Sequence, residues 1–322
     1  MELKNILAPV ADDLKRVDAM ILERLRSQVS LINEVGNYLV SAGGKRMRPA
    51  MVLLVARALG CTGEAPILLA ATIEFIHTAT LLHDDVVDGS GLRRSRKTAN
   101  ALWGNSAAVL SGDFLYSRSF QMMVDAGSMD IMRVMADTTN AIAEGEVLQL
   151  VNCGDPDVDQ ARYLRVIELK TARLFEAGAR TGAICAGADM AQRERAAAYG
   201  RKLGIAFQLI DDVLDYCADP AVTGKNIGAD LAEGKPTLPL IRAMAQAPAE
   251  QAETIRDAIA HARVDRLNEV LKIVESTDAI PYTRALAERH GREAVDAIGE
   301  VPASPYKDAL IELARYNNER GS

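Results

Sequence analysis

Helical periodicity runs through most of the chain and limits its fold more than any other feature. Apolar residues recur at three- and four-residue steps in seven long segments rich in Ala, Leu and Met, near residues 7–27, 49–60, 65–88, 105–126, 128–151, 159–185 and 190–216. There is no convincing alternating strand pattern. We therefore expect an all-α fold, a single-domain bundle of long helices over residues 1–322. The tail from residue 248 predicts shorter helices separated by Pro281, Pro302 and Pro305.

Composition and charge disfavour several functional classes. The 322 residues are 49% apolar and 25% charged, which is typical of a protein with a sizeable core. A net charge of −7 argues against a nucleic-acid partner, which requires a basic surface. There is no signal-peptide pattern, and no window of about 18 apolar residues lacks a charge, so we expect no transmembrane segment. The four cysteines are scattered without a C-x-x-C pair, which favours reduced thiols and a cytoplasmic location.

Two acidic clusters lie within apolar helical sequence. LLHDDVVD places Asp84, Asp85 and Asp88 within one turn. Carboxylates at i and i+4 lie about 5–6 Å apart at Cβ and repel by roughly 3 kcal/mol at an effective dielectric near 20. A single DDxxD is more often a solvated face, but FQLIDDVLDY repeats the spacing with Asp211, Asp212 and Asp215. Two copies in core-like helices indicate an opposing cation.

The ligand types and the basic segments point to magnesium and a phosphorylated substrate. Oxygen-only ligands favour hard cations, and Mg²⁺ often completes its shell with substrate phosphates. In GGKRMRP, a glycine pair and the cations Lys45, Arg46 and Arg48 precede a helix, which is a suitable anion site. Basic residues also follow each acidic cluster, namely Arg93, Arg94, Arg96 and Lys97 after the first and Lys225 and Lys235 after the second.

Parts of the sequence are also compatible with two other functions. Glu74 and His77 form an E-x-x-H pair, which in a helical bundle can belong to a di-iron site. That site needs a second E-x-x-H, and the sequence contains none. A helical scaffold without an active site would leave the paired spacing and the basic loops unexplained, and it predicts that Mg²⁺ does not bind.

Together these segments resemble trans-polyprenyl diphosphate synthases, especially the long-chain bacterial enzymes that make octaprenyl, solanesyl or decaprenyl diphosphate for quinone side chains. GGKRMRP, LLHDDVVD with LRR, and FQLIDDVLDY with TGKNIGADLAEGK carry the resemblance, and GDFLYSRSF, GEVLQL and ELKTARLF follow the order of the family. It implies an isoprenoid synthase-like bundle around a central cavity, and a homodimer. Ser95 and Lys97 stand where many members carry Gly and Pro, which leaves the conformation of that loop open.

The resemblance also implies a role for each site residue. Three Mg²⁺ ions would be held by Asp84 and Asp88 with Asp85 in support, and by Asp211 with Asp212 and Asp215 acting partly through water. The allylic diphosphate primer would contact Arg93, Lys170, Lys225 and Lys235. Isopentenyl diphosphate would contact Lys45, Arg48, His77 and Arg94. Thr171, Gln208 and the Lys170 carbonyl would direct their dipoles toward the allylic cation.

The implied reaction is Mg²⁺-dependent head-to-tail addition of isopentenyl diphosphate to the allylic primer. In the family, residues four and five positions before the first aspartate gate the product channel. Here they are the small Thr80 and Ala79, with the aliphatic Ile76 further along, which predicts an octaprenyl to decaprenyl product. Two alternatives remain open, a farnesyl or geranylgeranyl diphosphate synthase and a class I terpene cyclase. DDVLD disfavours the cyclase, whose second metal motif is usually of the Asn/Ser/Glu type.

Overall fold

The computed structural model describes residues 2–41, 43–93, 96–217 and 228–319, and this part of the chain is almost entirely helical. The helices are α1 (Leu3–Ile6), α2 (Ala11–Arg24), α3 (Ser30–Ser41), α4 (Met47–Ala58), α5 (Ala65–Val87), α6 (Ala99–Trp103), α7 (Asn105–Asp125), α8 (Met129–Asn152), α9 (Gln160–Ile167), α10 (Arg173–Cys185), α11 (Met190–Cys217), α12 (Ala229–Ala232), α13 (Leu238–Gln246), α14 (Ala249–Ala260), α15 (Leu267–Ser276), α16 (Ala279–Ala297) and α17 (Pro305–Glu319). Short 3₁₀ turns cover Ala8–Val10 and Val264–Arg266, and a π-helical turn, Glu168–Ala172, joins α9 to α10. The all-α prediction is confirmed.

The helix boundaries differ from the sequence prediction at a few points. Helix α3 was not predicted, because Gly36 and two asparagines weaken its helical propensity. Helix α4 begins at Met47, two residues before Pro49, and Pro281 lies in the first turn of α16 instead of separating two helices. Proline is tolerated in a first turn, where its missing N–H has no intrahelical partner to lose.

The loop after α5 forms a small antiparallel hairpin. Strand β1 (Leu92–Arg93) pairs with β2 (Arg96–Lys97), with Arg93 opposite Arg96. Tyr38 of α3 packs on this hairpin, since its hydroxyl donates to the Lys97 carbonyl at 2.7 Å and the Arg96 guanidinium lies 4.2 Å from its ring centroid. The hairpin thus fixes the position of Arg93 relative to the end of α5.

The chain divides into two compact units. The first comprises Met1–Thr139, Leu174–Gly200 and Val295–Leu313, and the second comprises Asn140–Arg173, Arg201–Ala294 and Ala314–Ser322. The predicted single domain over residues 1–322 stays a prediction.

In the first unit, α5 packs against α2, α4 and α7. Ten of the twelve residues of α4 are buried, so α4 is a central core helix. Helix α10 approaches α4 closely, because a Cβ atom at Gly182 would lie 2.6 Å from the Val52 carbonyl oxygen. In the second unit, one apolar cluster surrounds the second half of α11 and another joins α13, α14 and α15.

Among the described residues, one helix, α5, is long and apolar enough to span a membrane. Of its most apolar 18-residue window, 61% is buried inside the protein. Its packing against three other helices accounts for that apolar character.

Candidate active site

Both acidic motifs lie in the last turns of long helices. Asp84 and Asp85 are in the final turn of α5, and Asp88 is its C-cap residue. Asp211, Asp212 and Asp215 lie near the end of α11, which ends at Cys217. The C-terminal end of a helix carries about half a negative charge, which disfavours carboxylates. Each motif therefore adds negative charge where the helix is already negative, and each needs cationic partners.

In the first motif, Asp85 is held by a cation of the protein itself. Asp85 is buried, and Arg93 donates from Nε to Asp85 Oδ1 at 2.9 Å and contacts the same oxygen from a second nitrogen at 2.8 Å. Burial raises the pKa of Asp85, Arg93 opposes this rise, and the nearby charges of Asp84 and Asp88 add to it. Asp84 and Asp88 themselves remain partly exposed.

Two cations of the GGKRMRP segment contact the E-x-x-H pair of α5. Arg46 is the N-cap residue of α4, with a left-handed φ of 48°, and it pairs with Asp18 at 3.0 Å and with Glu74 at 2.5 Å. Arg48 Nη1 lies 3.2 Å from His77 Nε2. Lys45 is exposed. The E-x-x-H pair of α5 thus contacts two arginines.

A cleft opens on the Asp85 side of α5 in the first unit. His77 and Arg93 line it, whereas Lys45 and Arg48 are not among its lining residues. Its other charged lining residues are Arg46, Arg96, Lys97 and Glu74, and its apolar wall includes Phe75, Leu81 and Leu115. The cleft therefore combines several cations with an apolar wall, as a site for an amphiphilic anion requires.

In the second motif, Asp212 and Asp215 accept hydrogen bonds from residues outside the motif. Asp212 Oδ2 accepts from the Tyr163 hydroxyl at 2.5 Å, and Asp212 Oδ1 accepts from Gln208 Nε2 at 2.8 Å. Asp215 accepts from the backbone N–H of residues 229 and 230 at the start of α12. Burial raises the pKa of Asp212 well above its ordinary value, and the charge of Asp230 adds to this rise. Asp211 is partly exposed.

Lys170 and Thr171 lie on the π-helical turn between α9 and α10. Such turns are rare and are frequently found at functional sites. Lys170 Nζ donates to Glu146 Oε2 at 2.5 Å, and the Thr171 hydroxyl donates to Gln208 Oε1 at 3.0 Å. A Cβ atom at Gly145 would lie 2.6 Å from the Lys170 nitrogen, so this glycine lets α8 approach the turn.

The remaining predicted residues are those assigned to substrate binding and to chain length. Lys235 pairs with Glu233, two residues away, in the second unit. Arg94 and Lys225 lie outside the described residues. Among the chain-length residues, Ala79 and Ile76 have no exposed surface, whereas Thr80 is partly exposed and its hydroxyl donates to the His77 carbonyl. The chain-length roles of Ala79, Thr80 and Ile76 stay predictions.

The donor set of the motifs fits a hard cation that shares its shell with substrate. Asp84, Asp88 and Asp211 offer carboxylate oxygens at partly exposed positions, while the other three aspartates are buried. Within the described ranges, no three Asp, Glu, His or Cys side chains are grouped closely enough to hold a metal ion by themselves. A magnesium ion at either motif would therefore need phosphate or water oxygens, as Mg²⁺ sites in nucleotide-binding enzymes commonly do.

Sequence reasoning did not single out Glu146 and Tyr163. Each has a signal in the sequence. Glu146 follows a glycine within GEVLQL. Tyr163 lies seven residues before Lys170, and on an ideal helix the directions of these two side chains differ by only about 20°. Their partners are distant in sequence, so neither signal identifies a contact.

The fold and the paired aspartate motifs together define a helical enzyme of the trans-prenyltransferase class, which acts on diphosphate esters. The chain belongs to the polyprenyl synthetase family, whose model matches residues 29–276. It is 51% identical over 321 residues to the octaprenyl diphosphate synthase of Escherichia coli (strain K12), covering 99% of each chain.

Solved structures agree with this placement. A polyprenyl synthase from Caulobacter crescentus CB15, solved in complex with calcium and isoprenyl diphosphate, superimposes with a TM-score of 0.96 at 40% identity, covering 100% of this chain and 98% of that one. A decaprenyl diphosphate synthase from Rhodobacter capsulatus gives a TM-score of 0.94 at 41% identity, covering 100% of both chains. The predicted family, fold class and enzyme class are confirmed.

Proposed function

We propose that this protein is a long-chain trans-polyprenyl diphosphate synthase that adds isopentenyl diphosphate units to an allylic diphosphate primer, giving an octaprenyl to decaprenyl product. The observation that carries the proposal is the near full-length identity of 51% to an octaprenyl diphosphate synthase, in a chain that has both aspartate motifs at helix ends. The decaprenyl synthase neighbour supports the same range of product lengths. Supply of a quinone side chain is the role that this product would serve.

The metal in this proposal is Mg²⁺, with Asp84, Asp88 and Asp211 as its direct ligands. When bound, Mg²⁺ would neutralise negative charge on the substrate diphosphate and so make that group a better leaving group. The Caulobacter relative binds calcium with an isoprenyl diphosphate, which supports a divalent ion of the same hard class. Three ions per site is the number that the family resemblance implies.

The basic side chains of the protein would bind the two diphosphates. Arg93, Lys170, Lys225 and Lys235 would contact the diphosphate of the allylic primer. As its C–O bond breaks, they would stabilise the departing oxygen through charge-assisted hydrogen bonds. Lys45, Arg48, His77 and Arg94 would bind isopentenyl diphosphate. Lys170 would exchange Glu146 for phosphate on binding, because a doubly charged phosphate competes well for an ammonium group.

Bond formation would follow ionisation of the primer. Thr171 and Gln208, with the Lys170 carbonyl, would orient their oxygen dipoles toward the allylic cation. The terminal alkene of isopentenyl diphosphate would attack that cation at C1, forming the new carbon–carbon bond. The resulting cation would lose a proton, with the released diphosphate as the base.

We also propose a homodimer, with a second copy of the chain covering an apolar stripe on α8. Val147, Leu150 and Val151 are each more than 60% exposed and, at i, i+3 and i+4, share one face. Monomeric proteins rarely expose such patches, and most oligomers are symmetric dimers. Light scattering should give twice the chain mass for the wild type and for a Val264→Glu control, since Val264 is exposed elsewhere. Leu150→Glu should give the monomer mass, and an unchanged dimer would reject this interface.

A cytoplasmic location fits an enzyme with these reduced thiols. None of the four cysteines is in a disulfide.

A calorimetric titration tests the binding part of the proposal. Inorganic diphosphate should bind the wild-type protein in the presence of Mg²⁺ and should lose at least tenfold in affinity when a chelator replaces the metal. Asp84→Asn should reproduce that loss, because it removes a charge from the proposed ligand set. Binding of diphosphate that is independent of Mg²⁺ would contradict the metal assignment and favour a helical scaffold with a basic surface.

A further inference from the structure

The Tyr163 hydroxyl begins a chain of three hydrogen bonds in the second unit. Tyr163 is 5% exposed and donates to Asp212 Oδ2 at 2.5 Å. Gln208 Nε2 donates to Asp212 Oδ1 at 2.8 Å. The Thr171 hydroxyl then donates to Gln208 Oε1 at 3.0 Å. This series of hydrogen bonds thus links a buried tyrosine to Gln208 and Thr171, the two side chains assigned to the allylic cation.

The direction of each bond follows from which atoms can donate. An oxygen of the Asp212 carboxyl accepts from Gln208, so the NH₂ end of the amide faces Asp212 and its carbonyl end faces Thr171. With Asp212 ionised, the reversed amide would set two oxygens against each other. The Thr171 hydroxyl has one hydrogen, and donating it to Gln208 leaves its oxygen with lone pairs only. Both oxygens are therefore fixed as negative ends of dipoles, which is the polarity that stabilises a cation.

We propose that Tyr163 is a positioning residue for chain elongation, which through Asp212 fixes Gln208 and Thr171 as acceptors toward the allylic cation. This inference rests on the proposed function. In this assignment Asp212 accepts from Tyr163 through Oδ2 and orients Gln208 through Oδ1. Asp211 stays the proposed direct metal ligand of the second motif.

The role of the hydroxyl can be separated from the role of the ring. The Tyr163 ring belongs to an apolar cluster with Ile167, Leu209 and Leu286, and phenylalanine would keep that packing. Without the hydroxyl, Asp212 Oδ2 loses its donor at a buried position, where an unpaired polar atom is unfavourable. The carboxyl group would then rotate or recruit another donor, and the amide of Gln208 would lose its fixed orientation.

Tyr282 provides a matched control in the same cluster. It packs against the cluster and its hydroxyl donates to Gln160 Oε1 at 2.8 Å. Tyr163→Phe and Tyr282→Phe therefore each remove one tyrosine–side chain hydrogen bond and keep the ring. Circular dichroism and thermal unfolding of both variants establish that each is folded before kinetics are compared.

Kinetics supply the first readout. Tyr163→Phe should lower kcat about 10- to 100-fold, the range found for groups that orient metal-binding side chains, because Gln208 and Thr171 would lose their fixed orientation. The KM for isopentenyl diphosphate should stay within about twofold, because Tyr163 orients groups for the cation and not for that substrate. Tyr282→Phe should keep kcat within about twofold. Equal kcat values for the two variants would overturn the inference.

Binding supplies a second readout that needs no turnover. The first probe is an allylic analogue with an ammonium nitrogen in place of the cationic carbon, and it is added together with Mg²⁺ and inorganic diphosphate. The second probe is a thiolodiphosphate analogue of the primer, which ionises poorly. In calorimetry, Tyr163→Phe should lower the affinity for the ammonium analogue by about the same factor as kcat. It should leave the affinity for the thiolodiphosphate analogue unchanged. Weakening of both, or of neither, would overturn the inference. Absence of elongation in the wild type would instead reject the proposed function, so the two failures are distinguishable.

Discussion

Burial separates the six motif aspartates into two groups. Asp85, Asp212 and Asp215 are buried and bonded to the protein, while Asp84, Asp88 and Asp211 are partly exposed. The separation of Asp85 from Asp84 follows from the helix, since adjacent residues point about 100° apart. The hydrogen-bond partners of the buried aspartates cannot be predicted from helix periodicity. Arg93 contacts Asp85 from the β1–β2 hairpin, and Tyr163 contacts Asp212 from another helix.

The first motif allows a test of this division. Asp84→Ala should lower turnover more than tenfold and leave thermal stability unchanged, because it removes a proposed metal ligand at a partly exposed position. Asp85→Ala should keep more activity but lower the free energy of unfolding by roughly 1–2 kcal/mol. That loss is smaller than for a fully buried pair, because Arg93 remains partly open to water. Steady-state kinetics and urea unfolding of both variants give the comparison. More than about a tenth of wild-type turnover in Asp84→Ala would contradict the assignment.

At the scale of secondary structure, sequence periodicity predicted most of the long helices. The elements that it did not predict each have a local physical cause. Helix α3 contains Gly36, which lowers its helical propensity, and its packing compensates for this. A Cβ atom at Gly36 would lie 3.0 Å from the Leu25 side chain. The ring of Tyr38 also packs edge-to-face against Trp103. The β1–β2 hairpin is too short to give an alternating pattern. The π-helical turn depends on how its flanking helices pack, which sequence periodicity does not encode.

The close approach of α10 to α4 predicts a large effect of one added methyl group. Gly182→Ala should lower the free energy of unfolding by about 1–3 kcal/mol, because its Cβ would overlap the backbone of Val52. Gly63→Ala is the control, since nothing lies within 4 Å of a Cβ there, and it should change stability by less than about 0.5 kcal/mol. Urea unfolding of both variants tests the helix contact. Equal stabilities would mean that the two helices can separate without cost.

Helix α5 also predicts where a chain-length change can be introduced. Thr80→Tyr should shorten the products, because Thr80 is partly exposed and a ring there can block a channel without displacing core atoms. Ala79→Tyr should instead cost about 1–3 kcal/mol in stability, since Ala79 has no exposed surface. Chromatography of products and thermal unfolding distinguish the two effects. An unchanged product distribution in Thr80→Tyr would reject a channel beside that residue.

At the scale of the whole molecule, composition predicted a sizeable core and periodicity predicted that it is helical, but neither predicted the division into two compact units. The division depends on contacts between segments far apart in sequence, as when Leu174–Gly200 joins the unit formed mainly by residues up to Thr139. No local pattern marks those boundaries, since α8 and α11 each contribute residues to both units.

A buried histidine predicts how stability depends on pH. Burial, with the nearby charge of Lys202, lowers the pKa of His290 from 6.5 to about 4. The unfolded chain therefore binds this proton at higher pH than the folded chain does. The stability that this histidine contributes is complete above pH 6.5 and is lost as the pH falls toward 4. Between pH 7 and 5 the loss should be roughly 1 kcal/mol, reduced from the full linkage value by solvent screening.

Removal of the histidine should flatten this dependence. Urea unfolding of His290→Gln should show a smaller decrease in free energy between pH 7 and 5 than the wild type, whatever its absolute stability. Identical slopes for the wild type and His290→Gln would show that His290 does not contribute to the acid sensitivity.

The length of the product tests the central claim most directly. Wild-type protein is incubated with farnesyl diphosphate, labelled isopentenyl diphosphate and Mg²⁺, and the dephosphorylated products are separated by reversed-phase chromatography. The proposed long-chain elongation predicts all-trans products from octaprenyl to decaprenyl as the main species, formed only when Mg²⁺ is present. A product that stops at the geranylgeranyl length, or a cyclised hydrocarbon without further addition of isopentenyl units, would contradict it.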